Sequence, residues 1–131
     1  MTNFEFKNFN IMGLLEITPK KFEDARGYFS EIESQREFEK QRIPPFVQMN
    51  QSYSHKGVLR GMHFQKPPYE QGKLVRCISG QTYDVTVDLR AYSRTYREWK
   101  AVVLDSQTQN MLWIPKGFAH GFLALTKPTI I

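Results

Sequence analysis

Thr82-Tyr83-Asp84-Val85-Thr86-Val87-Asp88-Leu89 alternates a polar side chain with an apolar or aromatic one along its whole length. A repeat of two is that of a β-strand, whose successive side chains leave opposite faces. Ser79-Gly80 supplies the turn before it. Further short β-type runs lie on either side, separated by turn residues: Ile11–Glu16, Gly27–Glu33, Phe46–Ser54, Val58–Gln65, Lys73–Ser79, Trp99–Asp105, Met111–Ile114 and Phe118–Leu125. One helix is predicted at Gln35–Gln41, capped by Ser34, with Glu37 at the capping-box spacing and Pro44-Pro45 ending it. Many short strands with little helix predict an all-β jelly roll or a related small barrel.

The 131 residues are expected to form a single domain, residues 1–131, with no repeat and no linker. At 40% hydrophobic and 24% charged, the composition is that of a folded chain rather than a disordered one. There is no apolar run of membrane-spanning length, and Met1-Thr2-Asn3-Phe4-Glu5 does not read as a signal peptide. Cys77, the single cysteine, has no internal partner, which favours a reducing cytoplasm. Eighteen Lys and Arg against 13 Asp and Glu leave a net charge of +5. The charges are scattered and no nucleic-acid motif is present, so a small anionic ligand and a merely basic surface are the readings left open.

Three segments carry more polar chemistry than packing explains. The first, Asp24-Ala25-Arg26-Gly27 with Glu31 beyond it, is either a ligand-binding turn or a solvated hairpin. The second sets Gln48, Asn50 and Ser52 on one face of a strand and runs on through Arg60, His63 and Lys73. A guanidinium suits phosphate bidentately, and a lysine supplies a point charge. The third places His120 in Trp113-Ile-Pro115-Lys-Gly117-Phe118-Ala-His120-Gly121-Phe122, where a hydrogen-bonded core histidine is the bland alternative. Taken as a metal site, His63, Glu70 and His120 resemble the ligands of a cupin. Gly57, five residues and His63, then Pro115-x-Gly117-x-x-His120, match the two cupin motifs, but Gln65 stands where the second histidine belongs. Neutral glutamine is a poor substitute for imidazole on a transition metal, so no metal is expected.

The motifs together resemble the dTDP-4-dehydrorhamnose 3,5-epimerases. They are Asp24-x-Arg26-Gly27-x-Phe29-x-Glu31, Gln48-x-Asn50-x-Ser52, Arg60-Gly61-Met-His63-Phe-Gln65, Gln71-Gly72-Lys73-Leu-Val-Arg76, Asp84-Val-x-Val-Asp88-Leu-Arg90 and Ile114-Pro115-x-Gly117-Phe118-Ala-His120-Gly121-Phe122. The resemblance implies a cupin-like jelly-roll barrel, a homodimer, no cofactor and no metal. It implies a dTDP-sugar substrate, dTDP-4-dehydro-6-deoxy-D-glucose, inverted at C3 and C5 on the way to dTDP-L-rhamnose. Both carbons flank the C4 ketone, so each can lose a proton to give an enolate. By the resemblance His63 is the general base and Lys73 stabilises the enolate, while Arg26, Glu31, Gln48, Asn50, Arg60 and His120 bind nucleotide or sugar. Asp84 joins them as a hydrogen-bond partner for His120. Arg60 and His63 differ by three, which on a regular strand sets them on opposite faces. Either a bulge at Gly61 restores a common face, or Arg60 serves a partner subunit.

Members of the resembled family continue past Ile131, and there carry a tyrosine acid, an aspartate that orients the basic histidine and an aromatic that stacks on thymine. Lys127-Pro128-Thr129-Ile130-Ile131 reads as the middle of a strand, so a chain short of that tail, with impaired turnover, is expected. Two other functions compete with the epimerase: a catalytically silent nucleotide-sugar-binding protein of the same fold, and a metal-dependent cupin enzyme.

Overall fold

The computed structural model describes residues 2–131. Strands β1 (Phe4–Asn8), β2 (Leu15–Pro19), β3 (Lys21–Asp24) and β4 (Gly27–Ser30) precede the helix α1 (Gln35–Glu39). After it come β5 (Tyr53–Ser54), β6 (Leu59–His63), β7 (Lys73–Arg76) and β8 (Gln81–Asp88). The chain closes with β9 (Trp99–Asp105), β10 (Met111–Ile114), β11 (Phe118–Ala124) and β12 (Thr129–Ile130). Two four-stranded antiparallel sheets, ordered β1-β2-β10-β7 and β6-β11-β8-β9, form the sandwich. Two-stranded pairs, β12-β5 and β3-β4, sit at its margins. This is a jelly roll with one short helix, as the strand spacing predicts.

β10 lies in the middle of the first sheet and is buried on both faces, which accounts for its unbroken Met-Leu-Trp-Ile. Leu112 and Ile114 point between the sheets with Ile11, Leu14, Cys77, Val102, Leu104 and Phe118. Met111 and Trp113 point the other way, into a second cluster with Phe4, Leu15, Ile17, Phe38 and Ile43. Helix α1 is too short to stand alone. It is held because Phe38, 1% exposed, meets Phe4 edge-on at 5.1 Å and Phe46 at 6.4 Å. Ser34 caps it as expected, accepting from the Glu37 amide, but the helix ends at Glu39 with Lys40 as its C-cap.

Several predicted boundaries move. Ile11–Glu16 becomes a turn through Gly13 followed by β2, and β1 and β3 form where no strand is predicted. Of Phe46–Ser54 only Tyr53–Ser54 finds a ladder partner, in β12. Val47 and Met49 are almost wholly exposed and Gln48 donates to Asn50, so the alternation there has no sheet to join.

The loop after β8 is locked from inside. Asp88 is fully buried, and its carboxylate accepts from Arg90 Nε at 3.0 Å, Ser93 Oγ at 2.6 Å and Thr95 Oγ1 at 2.6 Å. The Arg90 guanidinium lies over the Phe118 ring at 4.7 Å and donates to the Met12 carbonyl. One ion pair thereby joins the β8–β9 loop, the β1–β2 turn and the start of β11. Burial alone would raise the pKa of Asp88; the bonds from Arg90, Ser93 and Thr95 outweigh it and hold the carboxyl well below the usual carboxylate range. A lowered native pKa contributes stability that is full above the unfolded value, about 3.9, and drains away as pH falls through the native one. Asp88→Asn should lower unfolding stability by roughly 3–5 kcal/mol at pH 7. In urea titrations its deficit relative to the parent should narrow below about pH 4.

Candidate active site

β8 is built against the usual sense of its pattern. Thr82, Asp84, Thr86 and Asp88 point inward and are 0% exposed, while Tyr83, Val85 and Val87 face outward. A buried polar row is stable only if each member is paired. Asp84 is paired by His120, the next strand's inward residue, whose Nε2 lies 2.7 Å from Asp84 Oδ2. His120 itself is 8% exposed, so its ring is fixed in the wall with the Nδ1 edge left over.

β6 brings the next side chains to the same wall. His63 pairs with His120 across the β6–β11 ladder, and cross-strand partners share a face. His63 is exposed where His120 is buried, so it is the more accessible imidazole of the two. Two residues further along β11, Phe122 pairs with Arg60, three residues from His63, and the register shifts between them. That shift is a bulge over Gly61-Met62, and it puts Arg60 and His63 on one face despite their odd spacing. Gly61 has φ +122°, and a Cβ there would lie 2.6 Å from Gly121 Cα. Gly121 in turn has Met62 Sδ and the Arg60 carbonyl against it, so the two glycines fit only each other. Arg60 is then aimed by Ser54, which accepts from Nε at 2.9 Å, and by the Tyr53 carbonyl, 3.2 Å from the terminal NH2 nitrogen. Its remaining N–H groups are left for a ligand.

The facing sheet contributes Lys73. It pairs with Ile114 and shares its side of β7 with Val75, and both of those residues belong to the packing between the sheets. The site therefore has two imidazoles and a guanidinium on one wall and an ammonium on the other. Such a lining suits an anionic ligand.

The other sequence candidates lie outside that wall. Arg26 is at the tip of the β3–β4 hairpin, its guanidinium 2.6 Å from Asp24 and 90% exposed. The hairpin is tied to the β9–β10 turn, where Ser30 donates to Gln109 at 2.7 Å and Gln109 donates to the Tyr28 hydroxyl. That turn is level with Gln81, five residues along β8 from the Thr86 that pairs with His120, or about 17 Å at strand rise. Glu31 follows β4 on the same hairpin. Gln48 and Asn50 lie on the exposed outer segment, bonded to each other at 3.2 Å. One Glu70 carboxylate oxygen is enclosed without a partner, but among the described residues no three His, Cys, Asp or Glu side chains are placed to hold a metal ion. Ser54, Thr82 and Gly121 are the wall residues that sequence reasoning did not single out. Only strand pairing brings them to it.

Residues 8–131 match a family profile described as dTDP-4-dehydrorhamnose 3,5-epimerase. The chain belongs to that family. It is 50% identical to a dTDP-4-dehydrorhamnose 3,5-epimerase of Shigella flexneri, over 88% of this chain and 65% of that protein. It is 46% identical, over its whole length, to the enzyme of that name from Methanothermobacter thermautotrophicus, of which it covers 71%. The crystal structure of dTDP-4-dehydrorhamnose 3,5-epimerase from Sulfolobus tokodaii superposes with TM-score 0.93 at 46% identity, covering 98% of this chain and 72% of that one. An epimerase from Legionella pneumophila solved in complex with dTDP-4-keto-L-rhamnose gives 0.91 at 41% identity, covering 97% and 68%. The chain thus spans about two thirds of the length of the curated relatives it matches. Its jelly roll is the cupin-like fold of the epimerase family.

In this epimerase-family chain the bulge makes a direct prediction. Gly61→Ala and Gly121→Ala should each destabilise the β6–β11 ladder by about 1–3 kcal/mol, the usual penalty of overpacking. Each should also separate Arg60 from His63, so calorimetry of the folded variants against inorganic pyrophosphate, as a probe of the cationic wall, should show weaker binding than in the parent.

Proposed function

We propose that the chain is an epimerase acting on dTDP-4-dehydro-6-deoxy-D-glucose, inverting C3 and C5 to give dTDP-4-dehydro-L-rhamnose. The observation that carries this reading is the bulge-aligned pair of Arg60 and His63 beside the carboxylate-held His120. The family membership supplies the substrate class, and the lining supplies the chemistry.

His63 takes the proton from the carbon next to the ketone. The C–H pair becomes a C–C double bond, and the carbonyl electrons move to the C4 oxygen. Lys73, from the facing sheet, stabilises that enolate oxygen as charge develops on it. Water gives a proton to the opposite face of the carbon as the enolate electrons return to it, and His63 releases the proton it took to solvent. The same sequence repeats at the second carbon. Arg60 holds the diphosphate with the N–H groups that Ser54 and Tyr53 leave free, and His120 offers its Nδ1 edge to the sugar.

The chain acts as a homodimer in this reading. Leu59, Leu123, Tyr83 and Val103 line up across the outer face of the second sheet, and Leu59 is 71% exposed. A second copy is the occupant that covers this face. It also gives Arg26 and Glu31 a use, because a projecting hairpin reaches a neighbour's cavity more readily than its own. Cys77 is buried and has no second cysteine to pair with, which fits a cytoplasmic setting.

Deuterium wash-in at C3 and C5 of the sugar in D2O, followed by NMR, tests the activity. The expected result is exchange that His63→Ala removes, since a positioned base contributes roughly 10²–10⁴-fold. Binding without exchange would favour the silent nucleotide-sugar-binding protein instead. Arg60→Ala should weaken dTDP binding by roughly 1.5–3 kcal/mol, the worth of a charge-assisted contact. Light scattering should give twice the 15.4 kDa chain mass.

A further inference from the structure

We propose that Thr82 is a positioning residue for His120, acting through Asp84, and that its hydroxyl rather than its shape is what the site uses. The proposal rests on the epimerase reading for the use to which His120 is put, but not for the geometry. Thr82 Oγ1 donates to Asp84 Oδ1 at 2.5 Å, and Asp84 Oδ2 meets His120 Nε2 at 2.7 Å. Thr82 and Asp84 are both 0% exposed. The three side chains form one line across β8 and β11, ending at the imidazole beside His63.

Valine would fill the Thr82 position equally well in a strand, since both side chains are β-branched. A buried hydroxyl is unfavourable unless it is used, and this one is spent on the carboxylate. Thr86, two residues along the same face, shows the alternative: its hydroxyl goes to the Lys100 backbone carbonyl at 3.5 Å. The two buried aspartates of β8 differ in the same way. Asp88 has the Arg90 guanidinium as its counter-charge, whereas the side-chain donors to Asp84 are the Thr82 hydroxyl and the His120 ring. Without Thr82, Oδ1 is orphaned. The carboxylate is then free to rotate, and His120 loses its fixed acceptor. His63 sits directly across the ladder, so a tilt of His120 changes the space left for the sugar between them.

Proton NMR of the full chain with 15N-labelled histidine is the test, using Thr82→Val, Thr82→Ala and Thr82→Ser without ligand. The His120 Nε2–H, assigned by its loss in His120→Gln, should appear as a downfield resonance protected from solvent in the parent and in Thr82→Ser. Thr82→Val should lose it, and Thr82→Ala, the second hydroxyl-free variant, should lose it too. Deuterium wash-in should fall about tenfold in the hydroxyl-free variants, as when support behind a working imidazole is removed, and return in Thr82→Ser with dTDP affinity constant throughout. A protected resonance that survives in Thr82→Val or Thr82→Ala overturns the proposal, as does wash-in equal in all variants. A parent with the protected resonance but no wash-in overturns the epimerase reading, and with it the use assigned to His120, while leaving the hydroxyl dependence of the resonance measurable in its own right.

Discussion

A row of four polar side chains on β8, Thr82, Asp84, Thr86 and Asp88, faces the interior and is wholly withdrawn from water. Each demands a partner, because an unpaired buried carboxylate or hydroxyl destabilises by more than most single contacts return. The partners are what fix the architecture around β8. Asp88 draws in Arg90, Ser93 and Thr95 and so folds the following loop back on the sandwich. Asp84 draws in His120 and thereby sets which face of β11 is inward. Once β11 is fixed, its ladder with β6 decides where His63 stands. The interior of the second sheet is thus organised by polar pairing, whereas the first sheet is centred on β10, which packs apolar side chains on both its faces.

The bulge over Gly61-Met62 follows from the same constraint. A regular β6 would satisfy the ladder equally well but would turn either Arg60 or His63 away from the wall. Holding both requires an extra residue in β6, and that residue must tolerate the approach of Gly121. Strand geometry, close packing of two glycines and convergence of two cationic side chains are therefore one arrangement seen at three levels. Ser54 extends it, since the short β5 that carries it is ordered by β12 and delivers its hydroxyl to Arg60.

How much of this was legible in the sequence varied with the physics. The alternation of β8 identifies a strand. The odd spacing of Arg60 and His63 leaves two resolutions, a bulge at Gly61 or service to a partner subunit, of which the ladder shows the bulge. Alternation does not say which face is inside, because polar residues bury readily once paired, and here they are the inner set. The pairing of Asp84 with His120 spans 36 positions and was only an expectation until the ladder placed both inward. β1 carries a weak signal because Phe4-Glu5-Phe6 is a short edge run whose only ladder partner among the described residues is β2. Phe46–Ser54 was over-read for the opposite reason: a strand pattern needs a neighbour to bond, and most of this one has none. Spacing does not bring Arg26, Glu31, Gln48 and Asn50 together, and within one copy these residues stay outside the wall.

Those outlying residues and the outer face of the second sheet bear on the same question. With its polar side chains consumed inside, β8 presents Tyr83, Val85 and Val87 outward, and β9 continues that face with Val103, Ala101 and Trp99. Trp99 is 63% exposed in the single chain. In the homodimeric reading this apolar sheet face is the surface that a second copy covers. The inversion that buries Asp84 and Asp88 thus has a second consequence, since the residues displaced outward need cover. In the homodimeric reading a second copy supplies it, and the hairpin bearing Arg26 gains a cavity to reach. On this view the interior chemistry and the association of two chains come from one choice, the direction in which the β8 pattern was turned.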